Sequence, residues 1–155
     1  MSIKDEAINW IRNYFEKNGN TQTKAVIGIS GGKDSSIAAA LCVEALGKDR
    51  VLGGLMPNGI QPEIQDSYTL VKALDMPYVE INIEDSFNGL LNQLKGNKEL
   101  KEITQSETPA KEAIINLAPR IRMATLYAIG QMLPKGGRVV NTCNMSEDYV
   151  GYSTK

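Results

Sequence analysis

Ser30-Gly31-Gly32-Lys33-Asp34-Ser35 sets two glycines, two hydroxyls and a carboxylate directly behind the apolar run Val26-Ile27-Gly28-Ile29. Glycines let a backbone turn back on itself and bring several N–H groups to one point, where the positive end of a following helix adds its dipole. Such a turn cradles an anion, and a nucleotide phosphate is the natural candidate. Two commoner phosphate loops do not fit. A Walker loop needs G-x-x-x-x-G-K-[ST], but Gly32-Lys33 is followed by Asp34 and its first glycine position holds Ile27. A dinucleotide fingerprint needs G-x-G-x-x-G, and Gly28, Gly31 and Gly32 fall at the wrong spacing. The simpler alternative is a plain strand-to-helix turn with Asp34 and Ser35 as helix-start residues. Capping alone does not require two adjacent glycines, two serines and an acid.

The chain contains no histidine, which removes the usual general base and the commonest metal ligand together. Any chemistry must rest on positioning and electrostatics. With 155 residues and a net charge of −1, the sequence suits one domain with its own core and has no bulk attraction to nucleic acid. A small-molecule substrate is expected instead. Cys42 sits in an apolar helical run and Cys143 in a polar stretch, so the two cysteines read as inert thiols in a reducing compartment. No apolar run approaches the roughly 18 residues of a membrane span, and the N-terminus lacks signal-peptide character, so a cytoplasmic location is expected.

The elements that must position the loop alternate along the chain. Ile3, Ala7, Trp10, Ile11, Tyr14 and Phe15 recur at helical spacing before Gly19, predicting an opening helix with Trp10 and Tyr14 in the core. Strands are expected over residues 25–29 and 51–56, with a helix over 37–46 ended by Gly47. Pro57-Asn58-Gly59 makes a turn, 63–74 a helix and 78–83 a third strand. Phe87, Leu90, Leu91 and Leu94 suggest a short helix, and residues 95–101 a polar surface excursion. A helix over 113–133 must bend or restart at Pro119, and Val139-Val140 opens a final strand. The layout predicts an α/β fold, a parallel sheet with helices on both faces, with ligands beyond the carboxyl ends of the strands. Ser30, Met56 and Thr142 lie at such ends.

The S-G-G-x-D-S loop resembles the pyrophosphate loop of the N-type ATP pyrophosphatases, which split ATP into AMP and pyrophosphate on an adenine nucleotide alpha hydrolase-like, Rossmann-like fold. Asn116-Leu117-Ala118-Pro119-Arg120-Ile121-Arg122-Met123 resembles the N-x-x-A-R-x-R-M segment of NAD synthetases. Asn141-Thr142-Cys143-Asn144-Met145-Ser146-Glu147 is similar to their G-T-x-N-x-S-E, and Gly151-Tyr152-Ser153-Thr154-Lys155 to their G-[YF]-[FS]-T-K. Pro119 stands where the family has alanine, and Asn141 where it has glycine. The resemblance covers essentially the whole chain, in the family's order.

The resemblance implies ATP-dependent amidation of deamido-NAD to NAD through an adenylate, with ammonia as nitrogen donor and AMP and pyrophosphate as products. It assigns ATP contacts to Gly28, Ile29, Ser30, Gly31, Gly32, Lys33, Asp34, Ser35 and Thr142, and deamido-NAD contacts to Arg120 and Lys155. Asp34 and Glu147 would hold Mg2+, no residue is assigned as acid or base, and Lys33 occupies a variable motif position. A homodimer is implied, with the deamido-NAD site at the subunit interface and neither nucleic acid nor membrane as partner. Family members continue beyond the position of Lys155, so residues 1–155 are expected to form a single ATP pyrophosphatase-type domain without the family's C-terminal segment. The absence of a glutaminase domain points to the ammonia-using branch. The alternatives are a GMP synthetase-like or tRNA-modifying relative with the same loop, or an ATP-binding fragment without turnover.

Overall fold

The computed structural model describes residues 2–143. Two five-residue strands, β1 (Lys24–Gly28) and β2 (Val51–Leu55), form the centre of its sheet, flanked by the three-residue strands β3 (Tyr78–Glu80) and β4 (Gly137–Val139). All pairings are parallel, in the order β3-β2-β1-β4, with Ala25 opposite both Val51 and Arg138. Parallel neighbours need crossovers, and helices supply them. These are α1 (Ile3–Asn18), α2 (Lys33–Leu46), α3 (Ile64–Ala73), α4 (Glu84–Gly96), α5 (Lys98–Thr104) and α6 (Lys111–Met132), with a 3-10 turn at Lys48–Arg50.

Side-chain alternation along β1 divides the core into two layers. Ala25 and Ile27 face Phe15 of α1, Ala39 and Cys42 of α2, and Val71 of α3. Val26 faces the other way, toward Leu126 and Ile129 of α6, with Met56 and Ile83. Helices therefore cover both faces, as expected. α6 lies unusually close to β4, since a Cβ on Gly137 would stand 2.8 Å from Gly130 Cα. Only glycine permits that approach.

The strand order explains where a ligand can enter. The chain runs outward from β1 through β2 to β3, then returns to set β4 on the other side of β1. The carboxyl end of β1 is thus the point where the strand order reverses, and open α/β sheets leave a crevice there.

Several expectations are corrected. Trp10 is 65 % exposed and Tyr14 37 %; they stack on each other at 5.5 Å outside the core. α1 carries two neighbouring apolar stripes, and the one that docks consists of Ile8, Ile11 and Phe15. Residues 95–101 do lie mostly exposed at the surface, and they are largely helical, ending α4 and opening α5, with Asn97 accepting the Leu100 N–H at 2.7 Å as N-cap. α6 passes through Pro119 without a restart; Ile115, four residues back, is exposed, so water can take the carbonyl bond that proline cannot donate to. β3 stops at Glu80 and all three of its residues are exposed, although the Ile81 and Ile83 N–H groups still bond to the carbonyls of Leu55 and Pro57 at 2.8 Å. β4 begins at Gly137, two residues earlier than the valine pair.

Candidate functional site

β1 ends at Gly28, and Ile29 continues its line through an N–H bond to the Gly54 carbonyl at 2.9 Å. The backbone then turns at Gly31, φ +78°, where a Cβ would meet Asp66 Cβ at 3.0 Å. Both the left-handed conformation and the close approach of α3 require glycine here. Gly32 is the N-cap of α2 and has no side chain to satisfy the first-turn N–H groups. A helix start without a side-chain cap is a place for an anion.

Hydroxyls hold this turn in shape. The buried Ser35 Oγ donates to the Gly32 carbonyl at 3.1 Å and accepts the Ser30 N–H at 3.4 Å. Ser30 Oγ lies 3.1 Å from Ser35 Oγ and accepts the Gly32 N–H at 3.3 Å, while Ser36 Oγ donates to the Gly32 carbonyl at 2.8 Å. From α3, Ser67 Oγ donates to the Ile29 carbonyl at 3.2 Å. The loop is therefore organised before any ligand arrives, which reduces the ordering cost of binding.

A cleft of about 810 Å³ opens above these strand ends. Gly28, Ile29 and Ser30 form its floor with Met56, and Thr142 borders it beyond β4. Lys33 is exposed and Asp34 half-exposed in the first turn of α2, beside the cleft rather than along its walls. Arg120 is exposed on α6 and is not among the residues that line the cleft. Glu147 and Lys155 lie outside the described residues. Among the described residues no cluster of three His, Cys, Asp or Glu side chains gathers to hold a metal. A hard cation takes oxygen donors, commonly one or two carboxylates completed by phosphate and water oxygens. Asp34, in the first turn of the helix that begins at the loop, supplies a donor of the right type.

The cleft also uses residues whose roles were not apparent from sequence. Arg122 enters it from α6, half-buried, with Nε donating to the Met56 carbonyl at 2.9 Å. Desolvation lowers its pKa from the ordinary guanidinium value. Gln61, Glu63 and Ser67 line the wall contributed by the β2–α3 connection and α3. The available signal for Arg122 was its place four residues before Leu126, which puts both on the core-facing side of the helix.

These features define an α/β domain with a glycine-turn anion cradle at its strand-order switch point. The NAD synthase family model matches residues 3–155, and the chain belongs to that family. It is 40 % identical over 149 residues to the glutamine-dependent NAD(+) synthetase of Thermotoga maritima, covering 95 % of this chain and 24 % of that protein. Identity to the NH(3)-dependent NAD(+) synthetase of Pyrococcus horikoshii is 34 % over 151 residues, covering 97 % of this chain and 53 % of that one. Among solved structures, the NH3-dependent NAD synthetase of Campylobacter jejuni in complex with the nitrate ion superposes with a TM-score of 0.79 at 32 % identity. The match covers 98 % of this chain and 60 % of that one. The NMN synthetase of Francisella tularensis gives 0.80 at 26 % identity, covering 98 % and 58 %. The chain thus spans about half the length of the NH(3)-dependent relative from Pyrococcus horikoshii.

Proposed function

We propose that this chain carries the ATP-cleaving site of an enzyme that amidates deamido-NAD to NAD, using ammonia and releasing AMP and pyrophosphate. The observation that carries the reading is the preorganised Ser30–Ser35 turn at the uncapped start of α2, whose first residue, Ser30, lines the cleft at the carboxyl end of β1 while residues 31–35 lie beside it. Residues 1–155 would form one ATP pyrophosphatase-type domain.

In the first step a carboxylate oxygen of deamido-NAD attacks the α-phosphorus of ATP, the bond from that phosphorus to the bridging oxygen breaks, and pyrophosphate leaves. Charge grows on the departing oxygens, which the uncapped first-turn N–H groups of α2 and the Ser30 hydroxyl would meet, while the Ser30 and Gly32 N–H groups and the Ser35 hydroxyl hold the turn in shape around them. In the second step the ammonia nitrogen attacks the acyl carbon, AMP leaves with the former carboxylate oxygen, and the nitrogen sheds a proton. The leaving groups are phosphates, which need charge stabilisation more than proton transfer. Gly28, Ile29, Lys33 and Thr142 would complete the ATP contacts. Asp34 and Glu147 would hold Mg2+, which neutralises charge on the phosphate oxygens when bound. Arg120 and Lys155 would contact deamido-NAD. The exposed position of Arg120 on α6, beside the exposed Met123 and Tyr127, supports a substrate site completed by a second copy of the chain in a homodimer. No described helix is long and apolar enough to cross a membrane, and a cytoplasmic location fits the substrates.

Pyrophosphate release from ATP and magnesium, with deamido-NAD and ammonium present, tests the reading. Release should require deamido-NAD and disappear in Asp34→Ala. Release that ignores deamido-NAD would point to another acceptor, and nucleotide binding without any release would leave an ATP-binding module only.

A further inference from the structure

One wall of the cleft is residues 57–63, the connection between β2 and α3, whose Glu63 carbonyl would stand 3.5 Å from a Cβ on Gly31 of the loop. Little of it belongs to regular structure, and it contains Ile60, which is 99 % exposed. Such a segment has no ladder to hold it. It is held at its start by the Pro57 carbonyl, which accepts the Ile83 N–H at 2.8 Å, and further along by two side-chain acceptors, one outside the segment and one within it. Asn82 Oδ1 accepts the Gly59 N–H at 3.1 Å, and is itself steadied by the Glu84 N–H at 3.0 Å. On the cleft side Gln61 Oε1 accepts the Asn58 N–H at 2.9 Å, and one Nη of Arg122 reaches that same oxygen at 3.5 Å. The guanidinium fork meanwhile holds the Met56 carbonyl through Nε at 2.9 Å. One residue of α6 therefore grips both Met56, which lies between the end of β2 and the wall, and the side chain that folds the wall onto itself.

We propose that Arg122 is a positioning residue of the nucleotide cleft, clamping residues 57–63 through Met56 and Gln61 so that the wall faces the phosphate loop in binding geometry. The inference rests on the nucleotide reading of the cleft. A planar fork suits this task because two donors leave it in fixed directions. A lysine has one flexible ammonium and cannot reproduce both bonds. Partial burial makes the clamp firmer, since a desolvated guanidinium gains more from each carbonyl it meets and loses more when one is removed.

Amide hydrogen exchange and ATP affinity of the intact protein, measured together, test the clamp. In Arg122→Ala the Asn58 amide should exchange faster while the Gly59 amide, held by Asn82, keeps its protection. ATP affinity should fall about tenfold, as the wall loses both guanidinium bonds and the order they impose. Arg122→Lys should not restore it. Gln61→Leu, which keeps the arginine but removes the shared acceptor, should expose the same amide, and the double variant should be less impaired than the two singles added together. Unchanged Asn58 exchange in folded Arg122→Ala and Gln61→Leu overturns the inference, as does faster exchange with ATP affinity intact; either leaves the ligase reading standing. A wild-type protein that binds no ATP overturns the ligase reading instead, and is recognised by its failure before any variant is made.

Discussion

The two ends of the sheet use the same kinds of residue to opposite purpose. At the amino ends of the strands, every described arginine is engaged with backbone carbonyls. Arg50 donates to the Thr23 carbonyl from Nε at 3.2 Å and to the Asn20 carbonyl from Nη2 at 3.1 Å, and lies 5.9 Å from the centre of the Phe15 ring. Arg138 bonds the Asn18 carbonyl that ends α1, and Arg12 bonds the Glu44 and Ala45 carbonyls near the end of α2. The buried Thr23 hydroxyl completes this seam by donating to the Lys135 carbonyl at 3.2 Å. At the carboxyl ends the helix start at Gly32 has no side-chain cap, and the Nη groups of Arg122 beyond its two bonds have no partner among the described residues. One end closes its own hydrogen bonds and stabilises the fold. The other leaves the first-turn N–H groups of α2 without a side-chain cap at the edge of a cleft.

That contrast can be broken most directly at Asp34. Asp34→Ala should reduce deamido-NAD-dependent pyrophosphate release at least about 100-fold in protein that remains folded; folded variant protein with activity retained would reverse the assignment of ends. Arg50→Ala is the complementary change. It should cost about 2 kcal/mol of stability in a urea titration, through lost carbonyl bonds and the ring contact, while the ATP affinity of the folded protein stays the same. Gly31→Ala comes next, because an alanine at φ +78° that also meets Asp66 must shift the turn. About tenfold weaker ATP binding by calorimetry is expected, from roughly 1–2 kcal/mol of left-handed strain.

The smallest effect contrasts two thiols. Burial raises the Cys42 pKa from 9.0 to about 11, whereas Cys143 is exposed at the cleft. Cys143 should therefore be alkylated quickly at neutral pH and Cys42 only on unfolding. A thiol whose folded pKa is raised contributes stability that is intact below the unfolded pKa and is lost as pH rises through the folded one. Stability should thus fall between pH 9.0 and about 11, by about 1 kcal/mol at its midpoint, and Cys42→Ala should flatten that slope.

The loop and the parallel layout were legible because their causes are local. Ser30, Gly31, Gly32 and Ser35 are sequence neighbours, and the apolar runs of β1 and β2 need no distant partner to be recognised. Boundaries were less legible where tertiary hydrogen bonds set them. β4 begins at Gly137 because that glycine can approach Gly130 of α6, a fact invisible until helix and strand meet. The polar residues 95–101 carry no apolar stripe, yet the Asn97 cap starts α5 among them.

The sequence by itself determined the chemistry at the switch point: a glycine turn, two hydroxyls and a carboxylate between a strand and a helix, in a chain without histidine. Their covalent order already brings them together. Only the tertiary structure decided which sides of the helices face inward. α1 offers Ile8 and Phe15 to the core and leaves Trp10 outside, although both stripes have helical spacing. Arg120 and Arg122 stand about 200° apart around α6, so docking that buries Leu126 and Ile129 must send one arginine into the cleft and the other to the surface. Helical periodicity specifies those angles, and only packing against the sheet fixes their origin.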